Sequence, residues 1–149
     1  MKYEFTDEYL TGIELIDTEH AHLFELANKA YDLLTDQFAL DKYDRIAALL
    51  EELREYTKTH FAHEEEFMES INFRHIWSEK HQHITFVNRL ESIDLKAMDE
   101  NQQEHLMEII EFLALWLQGH IKGADKRIGT YYDSLPDEEK AQEIMEEPA

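Results

Sequence analysis

Apolar residues recur at three-and-four spacing along four long stretches of this chain, and no proline interrupts any of them. That period belongs to the α-helix and not to the strand. An N-terminal arm over residues 1–16 leads into the first stretch, where Ile16, Leu23, Phe24, Ala27, Tyr31 and Leu34 share a face and Asp17 or Thr18 serves as N-cap. The second stretch runs from Asp41 to Ser70, with Ile46, Leu49, Leu50, Leu53, Tyr56, Phe67 and Met68 in its row. The third runs from Arg74 to Ile93, with Ile76, Phe86, Val87, Leu90 and Ile93. The fourth runs from Glu100 to Arg127, with Leu106, Ile109, Ile110, Leu113, Trp116 and Leu117. An acidic tail over residues 137–149 adds a short exposed C-terminal helix, for which Pro136 suits the first turn. Only four glycines and two prolines occur in 149 residues, so long helices with short connections are expected. The pattern predicts an all-α fold: one domain over 1–149, built as an antiparallel up-down four-helix bundle.

Composition removes several function classes. There is no cysteine, which excludes disulfides, thiolate metal sites and cysteine nucleophiles. The N-terminal segment has no apolar signal core, and no apolar run approaches the ~18 residues of a membrane span. A cytoplasmic location is expected. Fourteen basic against 34 acidic residues give a net charge of −20, a surface that repels nucleic acid and anionic membranes. Neither is expected as a partner.

The informative residues are polar ones set into the apolar rows. His20 takes a core position in the first helix, and His120 does so in the fourth. His60 and Glu64, four apart, share one face of the second helix. In the third helix Glu79 follows Ile76 by three, His83 follows Glu79 by four, and Phe86 follows His83 by three, so Glu79 and His83 face inward. His81 lies about 160° from His83 around the helix and faces away, and His75 falls beside the row. A lone inward histidine is ordinarily a hydrogen-bonded core residue. Here all four helices aim an imidazole or carboxylate at the same interior, and burying such groups unpaired costs several kcal/mol each. A shared cation removes that cost. Histidine with carboxylate on facing helices is the donor set of a non-haem di-iron or di-manganese site. Asp125 follows His120 by five, about 140° around an ideal helix. A solvated Asp fits that spacing. So does an inward Asp carried by local unwinding at Gly119 and Gly123 or by a π-bulge.

The segments "GIELIDTEHAHLFELAN", "HFAHEEEFM" and "GHIKGADKRI" resemble the ligand-bearing segments of the hemerythrins, in particular single-domain bacteriohemerythrins. The resemblance extends from the arm through the fourth helix. The family pattern is one His in the first helix, HxxxE in the second, HxxxH in the third and HxxxxD in the fourth. His20, His60 with Glu64, and His120 with Asp125 match it. The third helix departs: Glu79 and His83 make ExxxH. A register using His81 with Trp77 moves the aromatic row off the core.

The resemblance implies two iron ions joined by an oxo or hydroxo bridge, with manganese or zinc as alternative occupants of such a donor set. Glu64 and Asp125 would bridge the metals. His20 and His60 would bind one, with an open position for ligand; Glu79, His83 and His120 would bind the other. Trp116, Leu117 and Ile121 would wall an apolar dioxygen pocket. The implied function is dioxygen binding for storage, transport or sensing, with nitric oxide, peroxide or azide as other small ligands, in a monomer or homo-oligomer. Carboxylate in place of imidazole adds a negative charge about 2 Å from a metal, the usual coordination distance. Even several ångströms away, at an effective dielectric near 20, one charge is worth a few kcal/mol. The higher oxidation state gains more from it, so faster autoxidation is expected. That sets a second class beside the carrier, a di-iron enzyme reducing dioxygen or peroxide, and a third, a sensor module.

Overall fold

The computed structural model describes residues 3–38, 40–138 and 140, and it contains helix and no strand among them. The elements are a single 3-10 turn at Asp7–Tyr9, then α1 (Glu14–Thr35), α2 (Tyr43–Ser70), α3 (Ile76–Glu91), α4 (Leu95–Glu100), α5 (Gln102–His120), a π-helical turn at Ile121–Asp125, and α6 (Lys126–Asp133). α1 packs on α2 and on α5, and α2 packs on α3. The four long helices alternate in direction: His20 meets Glu64 while Lys29 meets Glu52, Glu65 meets His83 while Arg54 meets Leu90, and His83 meets His120 while Phe86 meets Phe112. Among the described residues no helix is long and apolar enough to cross a membrane.

The element ends follow local chemistry. α2 closes in a Schellman motif: Phe73 N–H donates to the Met68 carbonyl (2.9 Å) and Asn72 N–H to that of Glu69 (3.2 Å). Asn72 sits at φ 52°, the left-handed position that Asn tolerates better than most residues. A side chain of α2 ties down carbonyls at and just past the end of α3: Arg54 Nη2 donates to Leu90 O (2.8 Å) and Ile93 O (3.3 Å). Lys42, buried, caps α1 by donating from Nζ to Leu34 O at 3.1 Å.

Three boundaries differ from the sequence reading. α1 begins at Glu14 with Ile13 before it, so neither Asp17 nor Thr18 is its N-cap. Asp17 instead holds the arm, accepting from Thr11 N–H and Oγ1 (2.8 Å each) and from Gly12 N–H (3.1 Å). The fourth helix does not start at Glu100 and end at Arg127. A separate helix capped by Asp94 precedes it, and the helical path continues through the π-turn to Asp133. The expected C-terminal helix falls largely outside the described residues; Asp137, Glu138 and Lys140 are helical.

Two apolar clusters divide the interior. The larger takes Leu23 and Phe24 from α1, Phe61 from α2, Phe86 and Leu90 from α3, and Leu113 and Leu117 from α5. The smaller takes Ile13, Ile16, Phe67, Met68, Ile71, Phe73 and Ile128, and closes one end. Five of the polar inward residues fall between the two along the chain, while His60 and His120 are flanked by members of the larger cluster, Leu53 with Phe61 and Leu117 with Ile121. His20 lies between Ile16 and Leu23, Glu64 between Phe61 and Phe67, Glu79 and His83 before Phe86, and Asp125 before Ile128. The polar layer is therefore sealed on both sides by hydrocarbon.

Candidate metal centre

His20, His60, Glu64, Glu79, His83, His120 and Asp125 all reach this layer, each at 5% exposure or less. The two glutamates and the aspartate lie among four imidazoles in two groups. Ligand atoms of His20, His60 and Glu64 lie within 4.8 Å of one another, as do those of Glu64, Glu79, His83, His120 and Asp125. Two carboxylates divide their oxygens between the groups. Glu64 Oε2 is 3.3 Å from His20 Nε2 and 3.2 Å from His60 Nε2, while its Oε1 is 2.9 Å from His83 Nε2. Asp125 Oδ2 is 3.0 Å from His20 Nε2, and Oδ1 is 3.1 Å from His120 Nε2. Glu79 serves one group only: its Oε2 is 3.2 Å from both His83 Nε2 and His120 Nε2.

Asp125 arrives inward because the helix changes pitch. The five residues from Ile121 to Asp125 form a π-turn, which inserts one residue into the helical path. Downstream of it Asp125, Ile128 and Gly129 are all buried. Of the two outcomes its spacing allowed, the inward one is observed. His81 and His75 are exposed, as the helical wheel required. Trp116 is half-buried with its ring stacked on His120 (centroids 4.1 Å apart), while Leu117 and Ile121 lie buried in the larger core cluster.

The outer imidazole nitrogens have their own partners, which the sequence reading did not single out. His60 Nδ1 is 2.9 Å from Glu19 Oε1, and Glu19 Oε2 is 2.6 Å from His63 Nδ1. His83 Nδ1 is 2.7 Å from Glu65 Oε2, and His120 Nδ1 donates to Gln82 Oε1 at 2.6 Å. Phe61 stacks on the His83 ring at 3.9 Å. Such acceptors fix ring orientation and leave Nε2 to face the centre. Glu19, Glu65 and Gln82 are each chain neighbours of an inward residue, His20, Glu64 and His83. That adjacency, with a glutamate or glutamine beside a buried polar residue, was the available signal.

Nine buried side-chain nitrogen and oxygen atoms here lack a hydrogen-bond partner: His20 Nδ1 and Nε2, His60 Nε2, Glu64 Oε2, both oxygens of Glu79, His120 Nε2 and both oxygens of Asp125. Most of them lie 3.0–3.3 Å from an opposite charge without hydrogen-bond geometry, and so many buried polar atoms without a hydrogen bond are rare in folded proteins. One ligand atom of each of the seven residues lies close to those of its group, so divalent cations fit the residues present. Without metal the imidazoles answer the carboxylates. Burial disfavours charge on His20, but contact with Asp125 and Glu64 outweighs it and pushes the group up to about 10. Against the same burial, Glu64, Glu79 and Glu65 push His83 up to about 10, and Asp125 and Glu79 push His120 up to about 9. Burial works to raise Glu64, yet the surrounding histidines hold it well below its usual 4.5. Glu79 goes the other way: burial, with the charges of Asp125 and Glu64, raises it despite His120 and His83.

Fold and donor set together define a helical-bundle metal-binding protein with a mixed histidine and carboxylate site. The chain belongs to the hemerythrin family: the hemerythrin HHE cation binding domain matches residues 11–132. A bacteriohemerythrin of Clostridium acetobutylicum is 38% identical over 124 residues, which is 83% of this chain and 96% of that protein. A bacteriohemerythrin of Pseudomonas paraeruginosa is 31% identical over 80% of this chain and 74% of its own length. A hemerythrin-like protein of Naegleria gruberi is 28% identical over 84% of this chain and 89% of its own. No solved structure matches this chain.

Proposed function

We propose that this protein holds two iron ions and binds dioxygen reversibly, for storage, transport or sensing. His20 and His60 would hold one metal; Glu79, His83 and His120 would hold the other; Glu64 and Asp125 would be shared by both. The observation that carries this reading is the division of Glu64 and Asp125, each with one oxygen toward each imidazole group. Iron held there would supply reversible electron exchange with dioxygen. The chain's own part is to hold the metals and keep the centre dry. Phe61 and Trp116 stack on His83 and His120, and Leu117 and Ile121 add buried hydrocarbon nearby in the chain, surfaces that would retard escape of a bound small ligand and entry of water. The −20 charge is consistent with a small neutral ligand rather than an anionic macromolecule.

The test is metal content with site variants. Two irons per chain are expected in the parent, loss of two-metal binding in Glu64→Ala, and unchanged content in His81→Ala. Loss of metal in His81→Ala, with Glu64→Ala unaffected, refutes the assignment.

One observation favours a second reading. Glu79 is 1% exposed and brings a third carboxylate to the centre, where the family pattern has imidazole. Carboxylate-rich centres favour the ferric state, and a carboxylate that shifts between one-oxygen and two-oxygen binding opens a coordination position. The second reading is an enzyme that reduces dioxygen or peroxide. Reduced protein mixed with excess hydrogen peroxide and a reductant separates the two: many turnovers per site reject the carrier, and a single turnover rejects the enzyme.

A further inference from the structure

The two imidazole groups are not equivalent once their outer partners are counted. His83 Nδ1 meets Glu65 Oε2 at 2.7 Å, and no other described ion pair draws on that carboxylate. Stacking of Phe61 on His83, rings 7° from parallel, holds the imidazole plane that this contact needs. Glu79 adds a carboxylate on the same side of the layer, its Oε2 3.2 Å from both His83 Nε2 and His120 Nε2. On the other side His20 Nδ1 has no partner. His60 Nδ1 meets Glu19, but that carboxylate is shared with His63, which approaches it more closely (2.6 against 2.9 Å). One group thus has two carboxylates of its own, one facing the centre and one behind His83. The other has part of one.

Resting on the proposed di-iron reading, we infer that the Glu79/His83/His120 position is the one oxidised first, and that Glu65 is a positioning residue that enforces this order through His83. An acceptor carboxylate behind a ligating imidazole raises that ligand's basicity and so favours the higher metal charge. Removing one electron from the diferrous protein, with ferricyanide as acceptor reduced to ferrocyanide, therefore gives one ferric and one ferrous ion in fixed places. The first oxidation step responds to Glu65, and the second responds to Glu19.

The experiment is a stepwise ferricyanide titration of the iron-loaded protein, followed by Mössbauer spectroscopy, in the parent, Glu65→Gln and Glu19→Gln. Glutamine keeps an oxygen that accepts the Nδ1 proton and removes only the charge, so a purely structural role for Glu65 leaves the potentials where they are. Iron content is measured first: fewer than two irons per parent chain overturns the di-iron reading, and this inference with it. With two irons bound, the expected result is separate ferric and ferrous signals at half-oxidation. In Glu65→Gln the preference for ferric iron in the first step falls about tenfold, an upward shift of about 59 mV for one electron. Glu19→Gln leaves the first step in place and raises the second. A Glu65→Gln protein that fails to load iron is replaced by Glu79→Gln, in which the first step is again the one that rises. Movement of the second step by Glu65→Gln, or no movement of either, overturns the inference while leaving the di-iron reading standing.

Discussion

Replacing Gly129 by alanine tests how the N-terminal arm and the metal layer are joined. Gly129 lies in α6, just past the π-turn, and its backbone passes directly over Thr11 of the arm. A methyl group there would sit 2.0 Å from Thr11 O, 2.8 Å from its carbonyl carbon and 3.0 Å from its Cα. All three are backbone atoms, so no side-chain rotation relieves the clash, and the gap to the oxygen must open by about an ångström to reach even the 3.0 Å limit. The arm cannot yield freely, because Thr11 N–H, Thr11 Oγ1 and Gly12 N–H all donate to the Asp17 carboxylate. Overpacking costs about 1–3 kcal/mol. Loss of one hydrogen bond to a charged acceptor adds about 1.5–3 kcal/mol. Against these, alanine gains about 1 kcal/mol over glycine in a helix. The net is a destabilisation of about 1.5–5 kcal/mol, which lowers Tm by roughly 3–20 °C in a chain of this size. Gly119→Ala is the matched control: nothing lies within 4 Å of its added methyl, so the same chemical change should be neutral or stabilising. Thermal melts followed by circular dichroism read both. Displacing the arm also disturbs the Glu8–Lys122 pair (3.1 Å) and the seat of Lys122 over Tyr9. Lys122 belongs to the π-turn that delivers Asp125, so Gly129→Ala should also bind metal more weakly. A Gly129→Ala protein that melts at or above the parent refutes this reasoning.

Two further predictions concern the centre. Glu79→His restores imidazole at the inward position of α3, so autoxidation of the reduced protein should slow by at least several-fold in stopped-flow or spectrophotometric decay; equal rates would show that Glu79 has no bearing on the metal. The second is the pH dependence of the metal-free protein. His20, His83 and His120 are raised to between about 9 and about 10 in the fold, against 6.5 unfolded. A raised folded value contributes stability that is complete below 6.5 and is lost as pH rises through the folded values. Glu79, also raised, acts in the same sense; Glu64, lowered, contributes above 4.5 and fails only in acid. Metal-free Tm should therefore peak between pH 4.5 and 6.5 and fall toward pH 10. The metal-bound protein should gain metal affinity over the same rise, since binding expels those protons. Calorimetry across pH checks both, and a metal-free Tm that climbs from pH 7 to 10 contradicts the ionic state of the layer.

The four long helices and their inward faces were legible because their apolar rows are long enough to keep their phase across the polar residues set into them. α4 was not: it has six residues, too few for periodicity to show, and only Asp94 marks its start. Six of the seven inward polar residues could be placed from helical phase alone, since each shares a row with Ile, Leu or Phe. Asp125 could not, because its position depends on a π-turn whose extra residue no average helix geometry foresees. Glu19, Glu65 and Gln82 were missed for another reason. Each lies off its own helix's apolar row, and its role is set by where an imidazole from a neighbouring position or helix ends up. Periodicity reports which face a residue takes and says nothing of who stands opposite.

The decisive measurement is the metal content of the purified protein taken with its absorption spectrum before and after azide. Two irons per chain, and strong near-ultraviolet charge-transfer bands on azide addition to the oxidised form, are the expected result. A metal-free chain that is as stable as the loaded one, and shows no spectral response to iron and azide, would contradict a metal centre in this layer.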